Sequence, residues 1–205
     1  MTTIIDYGMG NLGSIQNMLK KLGEPSIITS NPLEIEQATR LILPGVGAFD
    51  TGMNSLTELN LIPILNKKVL ENKIPILGIC LGIQLMTKSS MEGNSGGLNW
   101  FDAEAIKFNL NDMEGKFVLP NMGWRNVSIK KEIPLFEGLN EESWFYFVHN
   151  YHIVSNSKKQ VGMTSEYGYE FVSSLVDDNI LGVQFHPEKS HKFGLKLLQN
   201  FINNY

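Results

Sequence analysis

The single cysteine of the sequence has neighbours that favour a reactive thiol. Cys80 follows the apolar run Pro75–Ile79, and glycines stand two residues before it and two residues after it, at Gly78 and Gly82. A strand that turns sharply into a helix needs small residues at these positions, and the turn leaves the side chain at its apex accessible. N–H groups at a helix N-terminus stabilise a thiolate, the nucleophilic form of cysteine. The pattern predicts a nucleophile at Cys80.

The alternative for Cys80 is a small buried apolar side chain, which is the common role of a free cysteine. A packed cysteine has no need of flanking glycines, and so Gly78 and Gly82 favour the nucleophile. Because the sequence has one cysteine, neither an internal disulfide nor a cysteine-rich zinc site can form.

A second pattern supplies the proton acceptor that a thiol needs. His186 follows the strand-like segment Ile180–Phe185, and Glu188 stands two residues farther on, across Pro187. An imidazole accepts and returns the proton of the nucleophile, while a carboxylate at its other ring nitrogen fixes the tautomer. Taken singly, His186 is more often a hydrogen-bonded core histidine and Glu188 a solvated charge. Their joint position at the end of a strand favours a base and its orienting carboxylate.

Metal binding is the other chemistry open to a histidine. No second ligand stands at helix or loop spacing from His186, and His149 and His152 are expected to point to opposite faces of one alternating strand. We therefore expect no metal site, and we interpret His152 and His191 as structural or surface residues.

The elements that must position these residues alternate in the first half of the chain. Short apolar runs predict strands, and helical patterns lie between them. The predicted strands are Thr3–Asp6, Ser26–Thr29, Arg40–Leu43 and Pro75–Ile79, and the predicted helices are Asn11–Leu22 and Leu61–Leu70. This order is typical of a parallel sheet covered by helices.

After about Gly93, aromatic and β-branched residues alternate with polar ones, which indicates antiparallel or mixed strands. The predicted strands are Val127–Lys130, Ser143–Val148, Phe171–Val176 and Ile180–Phe185, with a hairpin turn at Asp177–Asn179 and a closing helix over Lys192–Ile202. No repeat, low-complexity tract or linker divides the sequence, and so we expect one domain over residues 1–205.

Composition limits the partners and the location. A chain of 205 residues with 42% hydrophobic content can bury a core without disulfides or metals. A net charge of −4 gives no electrostatic reason to expect nucleic acid or an anionic membrane as partner. Its apolar runs are far shorter than the ~20 residues of a membrane-spanning helix, and no signal-peptide pattern precedes the first strand. We expect a cytoplasmic protein without a cofactor.

The motifs resemble those of the class I, triad-type glutamine amidotransferases. The resemblance rests on Gly78–Gln84, which reads GICLGIQ, and on Gln184–Glu188, which reads QFHPE. Three further segments are similar to the glutaminase subunits of imidazole glycerol phosphate synthase, namely Asp6–Leu12, Leu43–Phe49 and Tyr146–Tyr151. The similarity extends from residue 4 to about residue 190. It implies an α/β, three-layer, flavodoxin-like fold with a central, mostly parallel sheet and additional antiparallel strands in the C-terminal half.

The resemblance also implies roles for individual residues. Cys80, His186 and Glu188 would form the catalytic triad. The backbone N–H groups of Val46, after a peptide flip, and of Leu81 would form the oxyanion hole. Without the resemblance, Pro44–Gly47 is a plain strand-ending turn and Gln84 a solvated helix residue. The substrate glutamine would lie against Gly47, Gln84, Asn150 and Tyr151, although the family more often has Ser or Thr where Asn150 stands.

The implied reaction is hydrolysis of the glutamine side-chain amide through a γ-glutamyl thioester. The ammonia would pass to a synthase subunit with a (β/α)8 barrel, forming a heterodimer. The resemblance places the interface at Asn11, Trp124 and Lys189, whereas a core position is the alternative for Trp124. It places His149 near the ammonia exit, where a buried structural histidine is the alternative.

Two positions depart from the histidine-pathway pattern. Asn121 stands where the family more often has His, and Arg125 stands where it more often has Asn. These departures raise an alternative function, a paralogous glutaminase that supplies ammonia to a sugar amidotransferase in surface-polysaccharide biosynthesis. A third hypothesis is a catalytically silent binding module of the same fold, which the presence of Cys80, His186 and Glu188 disfavours.

Overall fold

A mixed sheet of ten strands lies at the centre of the computed structural model, which describes residues 1–110 and 117–205. The strands of this sheet are β1 (Thr2–Ile5), β2 (Ser26–Thr29), β3 (Arg40–Leu43), β4 (Ile76–Ile79), β5 (Ala103–Lys107), β7 (Ser128–Ile129), β9 (Tyr151–Ser155), β10 (Val161–Tyr167), β11 (Tyr169–Asp177) and β12 (Ile180–Val183). Strands β6 (Asn121–Asn126) and β8 (Trp144–His149) form a separate two-stranded ribbon. The helices are α1 (Leu12–Lys21), α2 (Pro32–Glu36), α3 (Phe49–Glu58), α4 (Ile62–Asn66), α5 (Leu81–Leu85) and α6 (His191–Asn204), and a π-helical turn at Lys67–Glu71 continues α4.

Parallel strands form the part of the sheet that carries Cys80. They lie in the order β2-β1-β3-β4-β12. Strand β11 is antiparallel to β12, and β10 and β7 continue the sheet in antiparallel fashion. Strand β9 pairs with both β11 and β5, again antiparallel. The predicted α/β class, with a parallel first half and antiparallel strands in the C-terminal half, is confirmed.

The two faces of the sheet carry separate hydrophobic cores. Successive residues of a strand point to opposite faces, and so Ile4 and Leu77 belong to one core while Ile5 and Ile76 belong to the other. Helices α1 and α6 cover the first face, and α3, α4 and α5 cover the second. Each fully buried aliphatic side chain in these cores stabilises the fold by about 1.5–3 kcal/mol. The predicted three layers are confirmed.

The ribbon of β6 and β8 is tied to the segment that carries His186. Its register pairs Asn121 with His149 and Trp124 with Tyr146. The backbone N–H of His186 donates to the carbonyl of Tyr146 at 2.9 Å. The ribbon therefore helps to hold the backbone of His186.

The sequence patterns locate some elements and miss others. The predicted strands Ser26–Thr29 and Arg40–Leu43 have the observed bounds, and the hairpin turn after Asp177 is confirmed. The patterns missed α3, whose Gly52 lowers helix propensity, although that glycine lets the helix pack closely against Leu85. They also missed α2 and the strands β5, β6, β9 and β10.

The prediction that His149 and His152 share one alternating strand is wrong. His149 ends β8 and His152 lies in β9, with Asn150 between the two strands. The break at Asn150 interrupts the alternation, and both imidazole rings pack against Phe108, with ring centroids 5.4 and 4.5 Å away.

Across residues 1–110 and 117–205, no helix combines the length and the apolar character that crossing a membrane requires.

Candidate active site

Cys80 occupies a strained turn between β4 and α5. Its φ is 54° and its ψ is −107°, a conformation that costs about 1–3 kcal/mol for a residue with a side chain. A Cβ atom on Gly82 would lie 1.8 Å from the carbonyl oxygen of Leu43, and one on Gly78 would lie 2.8 Å from the side chain of Met86. The two glycines therefore allow the close approach of strand and helix that the sequence predicts for a nucleophile.

Adjacent strands fix the distance between the thiol and the imidazole. In β4 and β12, Ile79 is in register with Val183, and the N–H of Cys80 donates to the carbonyl of Val183 at 2.8 Å. His186 follows β12 by three residues. The hydroxyl of Ser190 donates to the carbonyl of His186 at 2.6 Å and holds the loop. Backbone hydrogen bonds thus set the relative position of Cys80 and His186.

His186 and Glu188 form a buried pair. Nδ1 of His186 donates to Oε1 of Glu188 at 2.7 Å, and both side chains are 1% exposed. Burial opposes the charge on His186, but an ionised Cys80 and the Glu188 carboxylate outweigh burial and raise the pKa of His186 to about 10. Burial also opposes the charge on Glu188, but the hydrogen bonds from His186 and Asn11 outweigh it and lower the pKa of Glu188. The geometry favours an imidazolium beside a carboxylate.

Nε2 of His186 faces the thiol without a regular hydrogen bond. The Cys80 sulfur is close enough for its charge to act strongly on His186, yet Nε2 is buried and makes no hydrogen bond of regular geometry. Catalytic hydrogen bonds are often loose in the absence of substrate and tighten in the reacting complex. The arrangement brings the predicted triad Cys80, His186 and Glu188 together.

One predicted oxyanion donor is occupied within the chain. The N–H of Leu81 donates to the carbonyl of Gly45 at 3.2 Å, which places that carbonyl at the position predicted for the oxyanion. We call Pro44–Gly47 the oxyanion segment. Gly47 has φ of 124°, which suits glycine, and Val46 is 38% exposed. Rotation of the Gly45–Val46 peptide would free the N–H of Leu81 and could bring the N–H of Val46 to the same place.

A cavity of about 380 Å³ opens in front of Cys80. It is lined by seven of the predicted site residues, Val46, Gly47, Cys80, Leu81, Gln84, Asn150 and Tyr151, and by Glu92, Pro120, Val148 and His149. The predicted glutamine-binding residues therefore share one cavity with the thiol.

Gln84 lines the cavity, as predicted for a glutamine-binding residue, but its amide N–H groups are bonded within the chain. Its amide Nε2 donates to the carbonyl of Tyr151 at 3.1 Å and to Oε1 of Gln184 at 3.0 Å, so both of its N–H bonds are used within the chain. The side chain is buried, and the solvated alternative is wrong. Its remaining free group for a ligand is the acceptor Oε1.

Sequence reasoning missed Glu92 and Gln184. Oε2 of Glu92 accepts from the N–H of Phe49 at 2.9 Å, and its carboxylate is the one acidic side chain that lines the cavity among the described residues. Nε2 of Gln184 lies 3.9 Å from the Cys80 sulfur and donates towards it. The only sequence signal for Gln184 was its place in the QFHPE motif, and Glu92 had none.

The predicted interface residues lie along one surface beside the triad. Nδ2 of Asn11 donates to Oε1 of Glu188 at 3.0 Å. The ammonium of Lys189 lies 5.6 Å from the ring centroid of Tyr146, whose ring meets Trp124 edge-on at 6.0 Å. Trp124 is 40% exposed and stacks on His191, and so the core alternative for Trp124 is wrong.

The two departures from the family pattern contact each other. Nε of Arg125 donates to Oδ1 of Asn121 at 2.6 Å, and the guanidinium lies 4.2 Å from the ring centroid of Tyr167. Asn121 in turn contacts His149 at the wall of the cavity. In residues 1–110 and 117–205, no group of three or more His, Cys, Asp or Glu side chains is placed to hold a metal ion.

Comparisons with known proteins agree with this geometry. The model of the glutamine amidotransferase class-I family matches residues 3–204. Three similar proteins are named as subunits of imidazole glycerol phosphate synthase. They are subunit HisH 2 of Methanococcus maripaludis (55% identical), subunit HisH 2 of Pseudomonas aeruginosa (43% identical) and subunit HisH of Sulfurimonas denitrificans (46% identical). The matches cover 98% of this chain and 98%, 98% and 97% of those relatives.

Solved structures share the fold at lower identity. PurLQS from Thermotoga maritima has a TM-score of 0.72 at 17% identity, with 98% of this chain and 97% of that one covered. A glutamine amidotransferase from the same organism has a TM-score of 0.66 at 19% identity, with coverage of 100% and 81%. The chain therefore belongs to the class I glutamine amidotransferases and, within them, to the imidazole glycerol phosphate synthase HisH subunits.

Proposed function

We propose that this chain is the glutaminase subunit of an imidazole glycerol phosphate synthase in histidine biosynthesis. It hydrolyses L-glutamine to L-glutamate and ammonia for a synthase subunit. The observation that carries the proposal is the position of Cys80, on a strained turn between β4 and α5, beside the buried pair of His186 and Glu188. The HisH relatives, similar over nearly their whole length, support the assignment to this synthase.

The geometry supports covalent catalysis by the Cys80 sulfur. The thiolate attacks the side-chain carbonyl carbon of glutamine and forms a tetrahedral adduct. The carbon–nitrogen bond then breaks, and the imidazolium of His186 gives its proton to the departing ammonia. A water molecule attacks the resulting thioester while the neutral imidazole of His186 takes one water proton. The carbon–sulfur bond then breaks, the new carboxyl group gives its remaining proton to solvent, and glutamate leaves with the Cys80 thiolate and the His186 imidazolium restored. Glu188 acts on His186 throughout by stabilising its charged form.

Backbone groups receive the negative charge of the adduct. We assign this role to the N–H groups of Leu81 and Val46 after the Gly45 carbonyl has turned away. Such preorganised donors are typically worth ~3–4 kcal/mol each in the transition state. Because the Gly45 carbonyl accepts from the N–H of Leu81, the isolated chain should be a poor glutaminase.

The cavity suits the amino-acid end of glutamine. Glu92 offers a carboxylate for the α-ammonium group, and Oε1 of Gln84 offers a further acceptor. Gly47, Asn150 and Tyr151 complete the proposed binding residues, and Asn150 retains a side chain that can donate and accept hydrogen bonds.

We assign the synthase subunit, a (β/α)8 barrel, to the surface around Asn11, Trp124 and Lys189. Ammonia released into water at neutral pH is mostly ammonium, which is not nucleophilic, and so direct transfer to a bound partner favours this arrangement. Exposed aromatic side chains such as Trp124 are typical interface anchors. A cytoplasmic location fits such a biosynthetic complex.

The test uses a chloroketone analogue of glutamine, which alkylates a thiolate held at the glutamine site. In the presence of a histidine-pathway synthase barrel, the wild-type chain should carry one label on Cys80 and release glutamate from glutamine. Cys80→Ala should do neither. His186→Gln should lose at least a hundredfold in glutamate release, whereas Lys158→Gln, at an exposed residue just before β10, should lose little. Wild-type chain that neither labels nor releases glutamate with any barrel would contradict the proposal.

A specific observation favours the second candidate function, the supply of ammonia to a sugar amidotransferase. Asn121 and Arg125 both depart from the histidine-pathway pattern, and they contact each other and His149. The two relatives named HisH 2 carry copy numbers in their names. The two functions are distinguished by pairing the chain with each synthase and measuring glutamine-dependent product. Turnover only with the sugar enzyme would assign the chain to the second function.

A further inference from the structure

The loop Tyr7–Asn11 encloses the oxyanion segment from one side. The hydroxyl of Tyr7, on a fully buried ring, donates to the carbonyl of Pro44 at 2.5 Å. A Cβ atom on Gly47 would lie 2.4 Å from Cε of Met9, and a Cβ on Gly10 would lie 3.1 Å from the Pro44 side chain. The loop and the segment therefore meet at several successive residues.

Gly45 is held between Tyr7 and Leu81. A Cβ atom on Gly45 would lie 2.4 Å from the Tyr7 hydroxyl oxygen and 2.8 Å from Cβ of Leu81. The carbonyl of this same glycine accepts from the N–H of Leu81. Tyr7 thus contacts the residue that must move before Leu81 can receive an oxyanion.

The phenol of Tyr7 remains a hydrogen-bond donor at every physiological pH. Burial raises the pKa of Tyr7, and the nearby Cys80 thiolate raises it further. Because a buried carbonyl left without its donor costs free energy, the bond to Pro44 opposes any displacement of the segment.

We propose that Tyr7 is a positioning residue whose hydroxyl holds the oxyanion segment closed, with the Gly45 carbonyl over the N–H of Leu81. The inference rests on the proposed glutaminase function for its catalytic meaning. At its other end, the same loop reaches Glu188 through Asn11. A partner that displaced Tyr7–Asn11 would therefore act on the oxyanion segment and on the triad together.

Amide hydrogen exchange in the isolated full-length chain tests the contact without any substrate. Tyr7→Phe removes one buried hydrogen bond, and so the Leu81 amide should exchange about two- to tenfold faster. The amide of Cys80, which donates to Val183, should exchange at the wild-type rate and so report an intact sheet. Tyr167→Phe is the matched control, because Tyr167 also donates its hydroxyl to a backbone carbonyl, that of Val118. It should leave Leu81 unchanged.

Steady-state kinetics test the catalytic consequence. In Tyr7→Phe, kcat for glutamate release by the isolated chain should rise about two- to tenfold, like the exchange rate of the Leu81 amide, while KM stays nearly constant. The ratio of the rate with a synthase barrel to the rate of the isolated chain should therefore fall. A merely structural role would lower kcat or leave the ratio of stimulated to isolated rates unchanged. Wild-type exchange at Leu81 in Tyr7→Phe, or faster exchange without a rise in kcat, would overturn the inference. If the wild-type chain releases no glutamate even with a synthase barrel, the proposed function is contradicted instead. The exchange rate of the Leu81 amide would still show whether the Tyr7 hydroxyl holds the oxyanion segment closed.

Discussion

Asn121 and His149 are joined by a hydrogen bond of 3.0 Å between Nδ2 and Nε2. Nδ1 of His149 lies 2.7 Å from the carbonyl of Tyr151, to which it donates, so Nε2 must be the unprotonated nitrogen that accepts from Asn121. His149 is therefore neutral, with its tautomer fixed from both sides. Since His149 ends β8 and Asn121 begins β6, this wall of the glutamine cavity is part of the ribbon, and Arg125 of the same ribbon holds Asn121 from the other side.

The burial of His149 predicts a specific loss of stability in acid. Burial is the main cause that lowers the pKa of His149, to about 3. Because this lies below the ordinary value near 6.5, the unfolded state takes up the proton first, and stability falls as the pH decreases from about 6.5 towards 3. The slope from one such group reaches at most about 1.4 kcal/mol per pH unit. Urea unfolding at pH 7, 6 and 5 should show a shallower decline for His149→Gln than for the wild type. If His149→Gln and the control His191→Gln decline alike, His149 is not the group responsible.

The charge on Cys80 and, after it, that on Glu188 should set the alkaline limit of activity. The pKa of His186, about 10, lies above its ordinary value, and so the imidazolium persists at neutral pH and is lost as the pH rises towards 10. Glu188→Gln removes one of the charges that raise this pKa, and the fall of kcat/KM for glutamate release should move to lower pH. The measurement is a pH–rate profile with a synthase barrel present. Glu170→Gln, which alters an exposed carboxylate paired with Lys130, should keep the wild-type profile. An alkaline limb that does not move in Glu188→Gln would contradict the assigned role.

A glycine-to-alanine pair tests the turn at Cys80. In Gly82→Ala the new methyl group would lie 1.8 Å from the Leu43 carbonyl oxygen, and separating strand and helix should cost at least about 2 kcal/mol of unfolding free energy. Gly13→Ala, in the exposed first turn of α1, meets no atom within 4 Å and should stabilise by up to about 1 kcal/mol. Urea unfolding of both variants measures the difference. Equal stabilities would show that the close approach at Gly82 is not required.

Trp124 should anchor the partner. Trp124→Ala leaves the buried cores untouched and should preserve the thermal stability of the isolated chain to within a few degrees. Its affinity for a synthase barrel should fall at least about tenfold, as measured by titration calorimetry. Leu33→Ala, at an exposed apolar residue of α2, should bind as the wild type does. Unchanged affinity of Trp124→Ala would place the interface elsewhere.

Sequence patterns predict the site relationships between residues that lie close together in the chain. The turn at Cys80 shows itself through Gly78 and Gly82, and the bond between His186 and Glu188 spans two residues. By contrast, Gln84 and Gln184 are 100 residues apart and meet only because β4 and β12 are neighbours in the sheet. Sequence patterns describe each strand alone and do not give the order of strands.

The state of the oxyanion segment could not be predicted for a related reason. The resemblance named Val46 and Leu81 as donors, but the direction of the Gly45 carbonyl depends on one backbone rotation, which the sequence leaves free at glycine. Likewise, alternation predicted a strand at Ser143–Val148 without showing that it forms a ribbon with Asn121–Asn126 outside the main sheet. The two departures at Asn121 and Arg125 were visible singly, whereas their contact needed the structure.

The register between β4 and β12 has a consequence for how chain length can vary in evolution. Ile79 is fixed opposite Val183, and side chains alternate along a strand. An insertion or deletion of one residue within Ile180–Val183 would therefore shift this register and move the backbone of His186 relative to Cys80. The tight turn at Asp178, by contrast, precedes this register and can accept extra residues. We expect natural length differences among related chains to occur in that turn and to be absent from the six residues that lead to His186.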